Sequence, residues 1–312
     1  MRYKYLFIDA QNLYWRSVVS VTKELFKNED TYRKFHSEII QNFLSRINQL
    51  RERFGITDNI TYLLFDNSMS KINERKLISL EYKHAREKRH IPSGFYKILD
   101  ICQNILIYYS NNLFLCKYNG FEADDLVLPL KKSLSLSITE KLLLISADLD
   151  WAREIDVNTH WYNFVDVFDE LAFKDKYNFY PKGNAIKLFK SFRGDTSDNI
   201  ENAVPYLPTE ILISIVEKYS SIDEIMNDLW TSTIPKQWRI KIKEAENKLK
   251  SNYLLVDFIE LNAAIEEYCL KCSESLKALR HLFDVYRIPL ENRLFDKKKD
   301  KFFSKKNYTR IK

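Results

Sequence analysis

The first 180 residues alternate short apolar runs with helical stretches, and this alternation limits the fold more than any other feature. KYLFIDA (4–10), NITYLLFDN (59–67), NNLFLCKYN (111–119) and KLLLISADLD (141–150) each read as a buried strand, and THWYNFV (159–165) as a fifth. Helical periodicity fills Leu13 to Phe26 and Tyr32 to Phe54. Apolar strands separated by helices imply an α/β fold, a mostly parallel central sheet flanked by helices. From about Pro181 the pattern becomes helical through GNAIKLFKSFRG, TEILISIVEKY, SIDEIMNDLW, PKQWRIKIKEAENKLK and LNAAIEEYCLKCSESLKALRHLFDVY, with no repeat of fixed period. The expected organisation is an α/β domain over 1–180, a helical subdomain over 181–290 and a tail over 291–312.

Three of the strands end in Asp: Asp9, Asp66, and Asp148 followed by Asp150. The third strand leads into GFEADDLV, which starts a helix and carries Glu122, Asp124 and Asp125. The carboxyl ends of parallel strands lie along one edge of an open sheet, where ligands bind. These acids therefore converge on one crevice, which Asp195 and Asp198 of RGDTSDNI reach from the start of the helical part. A lone Asp after a strand is ordinarily a cap or turn residue, and Asp156, Asp166 and Asp169 read that way. Nine carboxylates in one cleft repel unless cations are present. Oxygen-only ligands suit hard cations, Mg²⁺ or Mn²⁺, and two such ions can support phosphodiester hydrolysis.

Composition sets the remaining bounds. The 312 residues are 45% hydrophobic and 29% charged, as in globular proteins. No apolar run approaches the roughly 18 residues of a membrane span. MRYKYLFIDAQN is too short and turns acidic too early for a signal peptide. Four cysteines are sparse for this length, which fits a reducing cytoplasm, that of the host if the chain is viral. CLKC (269–272) lies in a helical pattern and lacks the second pair that a zinc site needs. The net charge of +6 is concentrated in Lys297 to Lys312, with eight basic residues against one acid. Lys297, Lys298 and Lys299 begin this run, which is either a polyanion-binding tail or a solvated one.

KINERKLISLEYKHAREKRH (71–90) holds seven Lys and Arg against three Glu, with Tyr82 among them. Basic residues around an aromatic suit a single nucleic-acid strand, and cations beside a reacting phosphate stabilise its charge.

Taken together, FIDAQN, the FD strand end, EYKHAR, GFEADD, SADLDW and FRGDTSDNI resemble the 5′ nuclease superfamily: flap endonucleases, the 5′ nuclease domain of bacterial DNA polymerase, and phage 5′ exonucleases and RNase H enzymes. The resemblance runs from Asp9 to about Glu260 and implies a PIN-like fold with a helical arch around 70–92. It implies a Mg²⁺-dependent nuclease with two ions, for which Mn²⁺ can substitute. Asp9, Asp66, Glu122 and Asp124 would hold the first ion. Asp125, Asp148, Asp150, Asp195 and Asp198 would hold the second, with Asp124 shared. In the arch, Tyr82 would stack a base, Lys83 and Arg86 would contact the scissile phosphate, and Arg89 would add to the nucleic-acid contact. Implied partners are DNA with 5′ ends or flaps and RNA–DNA hybrids, with a single-strand-binding protein or sliding clamp as protein partner and no membrane.

The sequence departs from the family pattern after RGDTSDNI. A glycine-rich hairpin that grips duplex phosphates, often with K⁺, is expected there. ENAVPYLPTEI stands in its place, with no glycine after Gly194 and with two amide donors lost to Pro205 and Pro208. K⁺ binding is therefore not expected, and the phage RNase H branch is the nearer likeness. A PIN-type ribonuclease, and a non-catalytic nucleic-acid-binding protein of the same fold, remain as alternatives.

Overall fold

Strand β1 (Tyr3–Asp9) buries Leu6, Phe7 and Ile8 completely, so both of its faces are covered, as in an interior parallel strand. The computed structural model describes residues 1–22, 29–67, 79, 82, 91, 93–258 and 268–289. The chain divides into two compact units, 1–65 with 90–117 and 264–312, and 66–89 with 118–263. The change to helical sequence near 181 falls inside the second unit.

In the first unit, β1 pairs in parallel with β2 (Gly55–Leu64), and β2 in parallel with β3 (Leu113–Cys116). The β1–β2 connection carries helices α1 (Ala10–Val21) and α2 (Glu29–Phe54). Asp9 ends the strand and starts α1, its Oδ1 accepting from the Asn12 backbone N–H at 2.9 Å. Helix α3 (Ser93–Leu106) buries Phe95, Ile98, Leu99, Cys102, Ile105 and Leu106, one face at helical spacing. Tyr14, Phe43 and Phe95 meet edge to face, and the Tyr14 hydroxyl donates to the Phe95 carbonyl at 2.8 Å.

The second unit opens with α4 (Val127–Ser133), followed by β4 (Leu142–Ile145), whose four residues are all buried. Strand β4 runs parallel to β5 (Thr159–Tyr162), and β6 (Val167–Phe168) pairs antiparallel with β5. Trp161 stacks on Phe168, and its Nε1–H donates to the Ser146 carbonyl at 2.9 Å, fixing the turn that leaves β4. The helices are α5 (Glu170–Tyr177), α6 (Ala185–Arg193), α7 (Thr209–Lys218), α8 (Ile222–Asp228), α9 (Lys236–Glu244) and α10 (Glu246–Leu255). Helix α6 is central, packing on α7, α10 and the 3₁₀ turn Leu149–Glu154. It ends at Gly194, whose φ of 75° favours glycine, and a Cβ there would lie 2.4 Å from the Ile200 carbonyl oxygen.

The α/β class and mostly parallel pairing expected from the sequence are present: three of the five pairings within the units are parallel. Asp169 caps α5, and Asp156 accepts from the Asn158 and Thr159 amides, the turn roles read for them. No described helix is long and apolar enough to cross a membrane.

The Cys269 segment needs correction. In place of the expected helix, β7 (Cys269–Lys271) pairs antiparallel with β3, and helix α11 (Leu276–Val285) starts later. The register sets Cys116 opposite Cys269, and the two form a disulfide. Cys102 and Cys272 are buried free thiols. Local periodicity reads helix here, but the edge of β3 supplies a pairing partner that no local pattern contains. The arch residues Lys83, Arg86 and Arg89, and the tail residues Lys297, Lys298 and Lys299, lie outside the described residues.

Candidate metal centre

The turn after β4 is built by its own polar atoms. The Asp148 amide donates to Ser146 Oγ, and Asp148 Oδ1 accepts from the Asp150 amide at 3.0 Å. Asp148 thereby caps the 3₁₀ turn, which directs Asp150 inward until it is 7% exposed. From the other side, Lys190 of α6 reaches in, itself 6% exposed. Its Nζ lies 2.6 Å from Asp150 Oδ2, 2.7 Å from Asp195 Oδ2 and 3.8 Å from Asp148 Oδ1. Asp195 follows Gly194 and caps the 3₁₀ turn Thr196–Asp198, accepting from the Ser197 amide and hydroxyl.

Asp150, Asp195 and Lys190 share one cleft, lined also by Asp124, Asp198, Tyr82, Ile200, Leu255 and Val256. Burial pushes the Asp150 carboxyl up to about 6, with Lys190 pulling it back. Burial alone would raise Asp195 too, but Lys190 and Ser197 hold it at about 2. For Lys190, burial favours the neutral amine, and the surrounding carboxylates overcome this and raise its pKa. Lys190 is therefore held as the ammonium and Asp195 as the carboxylate at neutral pH.

GFEADDLV starts a helix, as read in the sequence, but opens it with a 3₁₀ turn. Asp124–Leu126 is a 3₁₀ turn, and α4 begins at Val127. Asp125, 1% exposed, turns its Oδ2 back to accept from the Glu122 amide at 3.0 Å, while Asp124 faces the cleft. Asp66, two residues beyond β2, accepts through Oδ1 from the Ala123 amide at 2.9 Å and so joins the same turn. Asp66, Glu122 and Asp125 thus form one hydrogen-bonded layer, Asp148, Asp150 and Asp195 gather around Lys190, and Asp124 and Asp198 line the same cleft. Asp9 belongs to the first unit, where it caps α1.

Tyr82 is 2% exposed, packed with Ile200, Leu255 and Val256, and its hydroxyl donates to Asp198 at 3.4 Å. The ring is buried here, whereas a base-stacking tyrosine presents a free face. Below the cleft, Arg153 donates to Asp257 at 3.1 Å and to the Val256 carbonyl, and buried Lys187 also pairs with Asp257. This joins the end of α10 to α6 and to the turn that carries Asp150.

Lys190 and the Asp257 cluster escape the sequence reading. The available signal was Lys187 and Lys190, three apart within IKLFKSF, where a lysine on the buried face of a helix needs a partner.

The donor chemistry fits a hard cation, since every acid in the cleft offers oxygen. Asp150 Oδ1 is buried and has no hydrogen-bond partner, so the pairing with Lys190 uses only half of this carboxylate. As the side chains stand, no group of three His, Cys, Asp or Glu among the described residues is arranged to hold an ion.

The frame around these acids has known counterparts. The family model for the 5′-3′ exonuclease, N-terminal resolvase-like domain, matches residues 4–178, more than half of the chain. The chain belongs to the 5′-3′ exonuclease family. Its fold is similar to that of the phage T5 D15 protein co-crystallised with metal ions, with a TM-score of 0.63 and 16% identity over 90% of this chain and 99% of that one. It is also similar to the phage T5 D15 flap endonuclease in a complex with DNA and metal ions, with a TM-score of 0.59 and 16% identity over 91% and 99%. Human GEN1 bound to Holliday junction DNA matches with a TM-score of 0.54 and 13% identity over 91% and 68%. At these identities the likeness is one of fold, the PIN-like 5′ nuclease fold. No curated protein sequence gives a significant match.

Proposed function

We propose that this member of the family is a Mg²⁺-dependent 5′ nuclease. It hydrolyses phosphodiester bonds near 5′ ends or at flaps, on DNA and on the RNA of RNA–DNA hybrids, as in phage primer removal. The observation that carries this reading is the cleft lined by Asp124, Asp150, Asp195 and Asp198, in which a buried lysine ammonium pairs with Asp150 and Asp195. Its support comes from the T5 flap endonuclease, crystallised with DNA and metal ions, and from GEN1, crystallised with Holliday junction DNA.

In this reading Asp9, Asp66, Glu122 and Asp124 hold one ion. Asp125, Asp148, Asp150, Asp195 and Asp198 hold a second, with Asp124 shared and Mn²⁺ able to substitute. Such ions supply Lewis-acid activation of water and of the leaving oxygen. The chain's own residues do the rest. The 3₁₀ turns of Leu149–Glu154 and Thr196–Asp198 fix the acids, and Asp257 anchors the elements behind them. Lys83, Arg86 and Arg89 meet the phosphates, and Tyr82 stacks a base after leaving its apolar cluster. Duplex affinity is added by the tail that starts with Lys297, Lys298 and Lys299, or by a partner such as a single-strand-binding protein or clamp.

One observation favours a non-catalytic nucleic-acid-binding protein: an ammonium already sits among the acids. End-labelled 5′-flap, nicked and RNA–DNA substrates, incubated with and without Mg²⁺, separate the two readings. Mg²⁺-dependent short products from the 5′ side support the nuclease, and binding without cleavage under all conditions supports the alternative.

A further inference from the structure

Lysine offers three N–H donors on a compact, strongly charged head. At Lys190 the head lies 2.6 Å from Asp150, of the turn after β4, and 2.7 Å from Asp195, of the turn after α6, with Asp148 a further carboxylate at 3.8 Å. The stem is buried in α6, so the head is delivered from inside the fold and not from solvent. Carboxylates gathered this closely in a desolvated place cannot all ionise without a cation. The folded chain therefore needs positive charge here before any ion arrives, and Lys190 provides it.

We propose that Lys190 is a tethered counter-ion: its ammonium occupies part of the second metal position and must yield, wholly or in part, when a divalent ion enters. This rests on the nuclease reading above and adds to it the expectation that the second ion binds more weakly than the first. Asp150 marks the division of labour. Oδ2 is held by Lys190, while the buried Oδ1 has no partner and is the acceptor left for the incoming ion. A bare cluster of the same acids would draw a divalent ion more strongly, because binding would not require an existing ion pair to loosen. The lysine thus trades metal affinity for a fold that stands without metal.

The test is Mn²⁺ binding to the full-length protein, followed by electron paramagnetic resonance and calorimetry, for the wild type, Lys190→Met and Lys190→Arg. The proposal expects Lys190→Met to bind the weaker class of Mn²⁺ at least about tenfold more tightly, since a buried opposing charge is gone. Lys190→Arg, which keeps the charge, stays within about threefold of wild type. Without metal, Lys190→Met melts below wild type, and added Mg²⁺ recovers more of its stability. Unchanged or weaker Mn²⁺ binding by Lys190→Met, beside normal binding by the wild type, overturns the proposal and leaves the nuclease reading standing. If neither protein binds Mn²⁺, the nuclease reading fails and this proposal with it. Should Lys190→Met not fold, lysine-selective ¹⁵N NMR of the wild type decides. The Lys190 ammonium signal, assigned by its loss in Lys190→Arg, must shift or lose exchange protection on adding Mg²⁺. A signal unchanged at saturating Mg²⁺ overturns the proposal.

Discussion

At the scale of single residues, the cleft depends on acids whose orientation is set by hydrogen bonds close in sequence. Asp148 caps one 3₁₀ turn and Asp195 another, so each carboxylate has one task in the backbone and one toward the cleft. Asp148→Asn and Asp124→Asn keep the shape but remove charge. Each is expected to cut cleavage by more than about a hundredfold while sparing substrate binding, read by single-turnover kinetics beside a binding titration. Asp257 gives a pH prediction. Burial alone would raise its carboxyl, but Lys187 and Arg153 outweigh burial and hold it below the ordinary value. A depressed carboxylate pKa stabilises the fold above the unfolded value of about 3.9, and this contribution is lost as pH falls through the folded value. Melting curves of wild type and Asp257→Asn should therefore lie apart near neutrality and converge below about pH 4. The acids were legible in the sequence because strand ends fix where they fall. Lys190 was legible only in part: Lys187 and Lys190 share a face of the helix in IKLFKSF, but the carboxylates that meet that face come from segments distant in sequence.

At the scale of elements, two joints carry the local accuracy of the site. Gly194 ends α6 at positive φ, with the Ile200 carbonyl oxygen closing over it. Gly194→Ala is expected to destabilise the protein by more than about 1 kcal/mol, from backbone strain and from the clash together, measurable by urea denaturation. It should also lower activity, because Asp195 follows directly. The β3–β7 edge is the second joint. A strand of three residues is weak alone, and the Cys116–Cys269 cross-link secures it. Reduction, or Cys269→Ser, should lower the melting temperature in calorimetry. The long strands and amphipathic helices were readable from period alone. The short edge strand was not, because its pairing partner lies more than 150 residues earlier. GFEADD shows the same limit: its acidity pointed to a cation site, yet Asp125 folds back as a cap, a choice made by the backbone of a 3₁₀ turn.

At the scale of the whole molecule, charge is distributed unevenly, with the acids in the fold and the excess of Lys and Arg at the end of the chain. Removing Lys297 to Lys312 is expected to weaken duplex binding and flatten its dependence on salt, since each phosphate contact contributes a counterion to the slope. An unchanged slope would assign the tail another role. The alternation of strands and helices made the α/β class readable, and the set of acidic motifs made the family readable. The division into two units was hidden, because each unit is assembled from segments distant in sequence. The central claim is that the acids of the cleft serve metal-dependent cleavage, and the most direct measurement is single-turnover cleavage of an end-labelled 5′-flap DNA as Mg²⁺ is raised from zero, for wild type and Asp148→Asn. The account predicts no cleavage without Mg²⁺, a rate that rises and saturates with Mg²⁺ in the wild type, and a flat baseline in the variant. Cleavage that is independent of Mg²⁺, or equal in the two proteins, would contradict it.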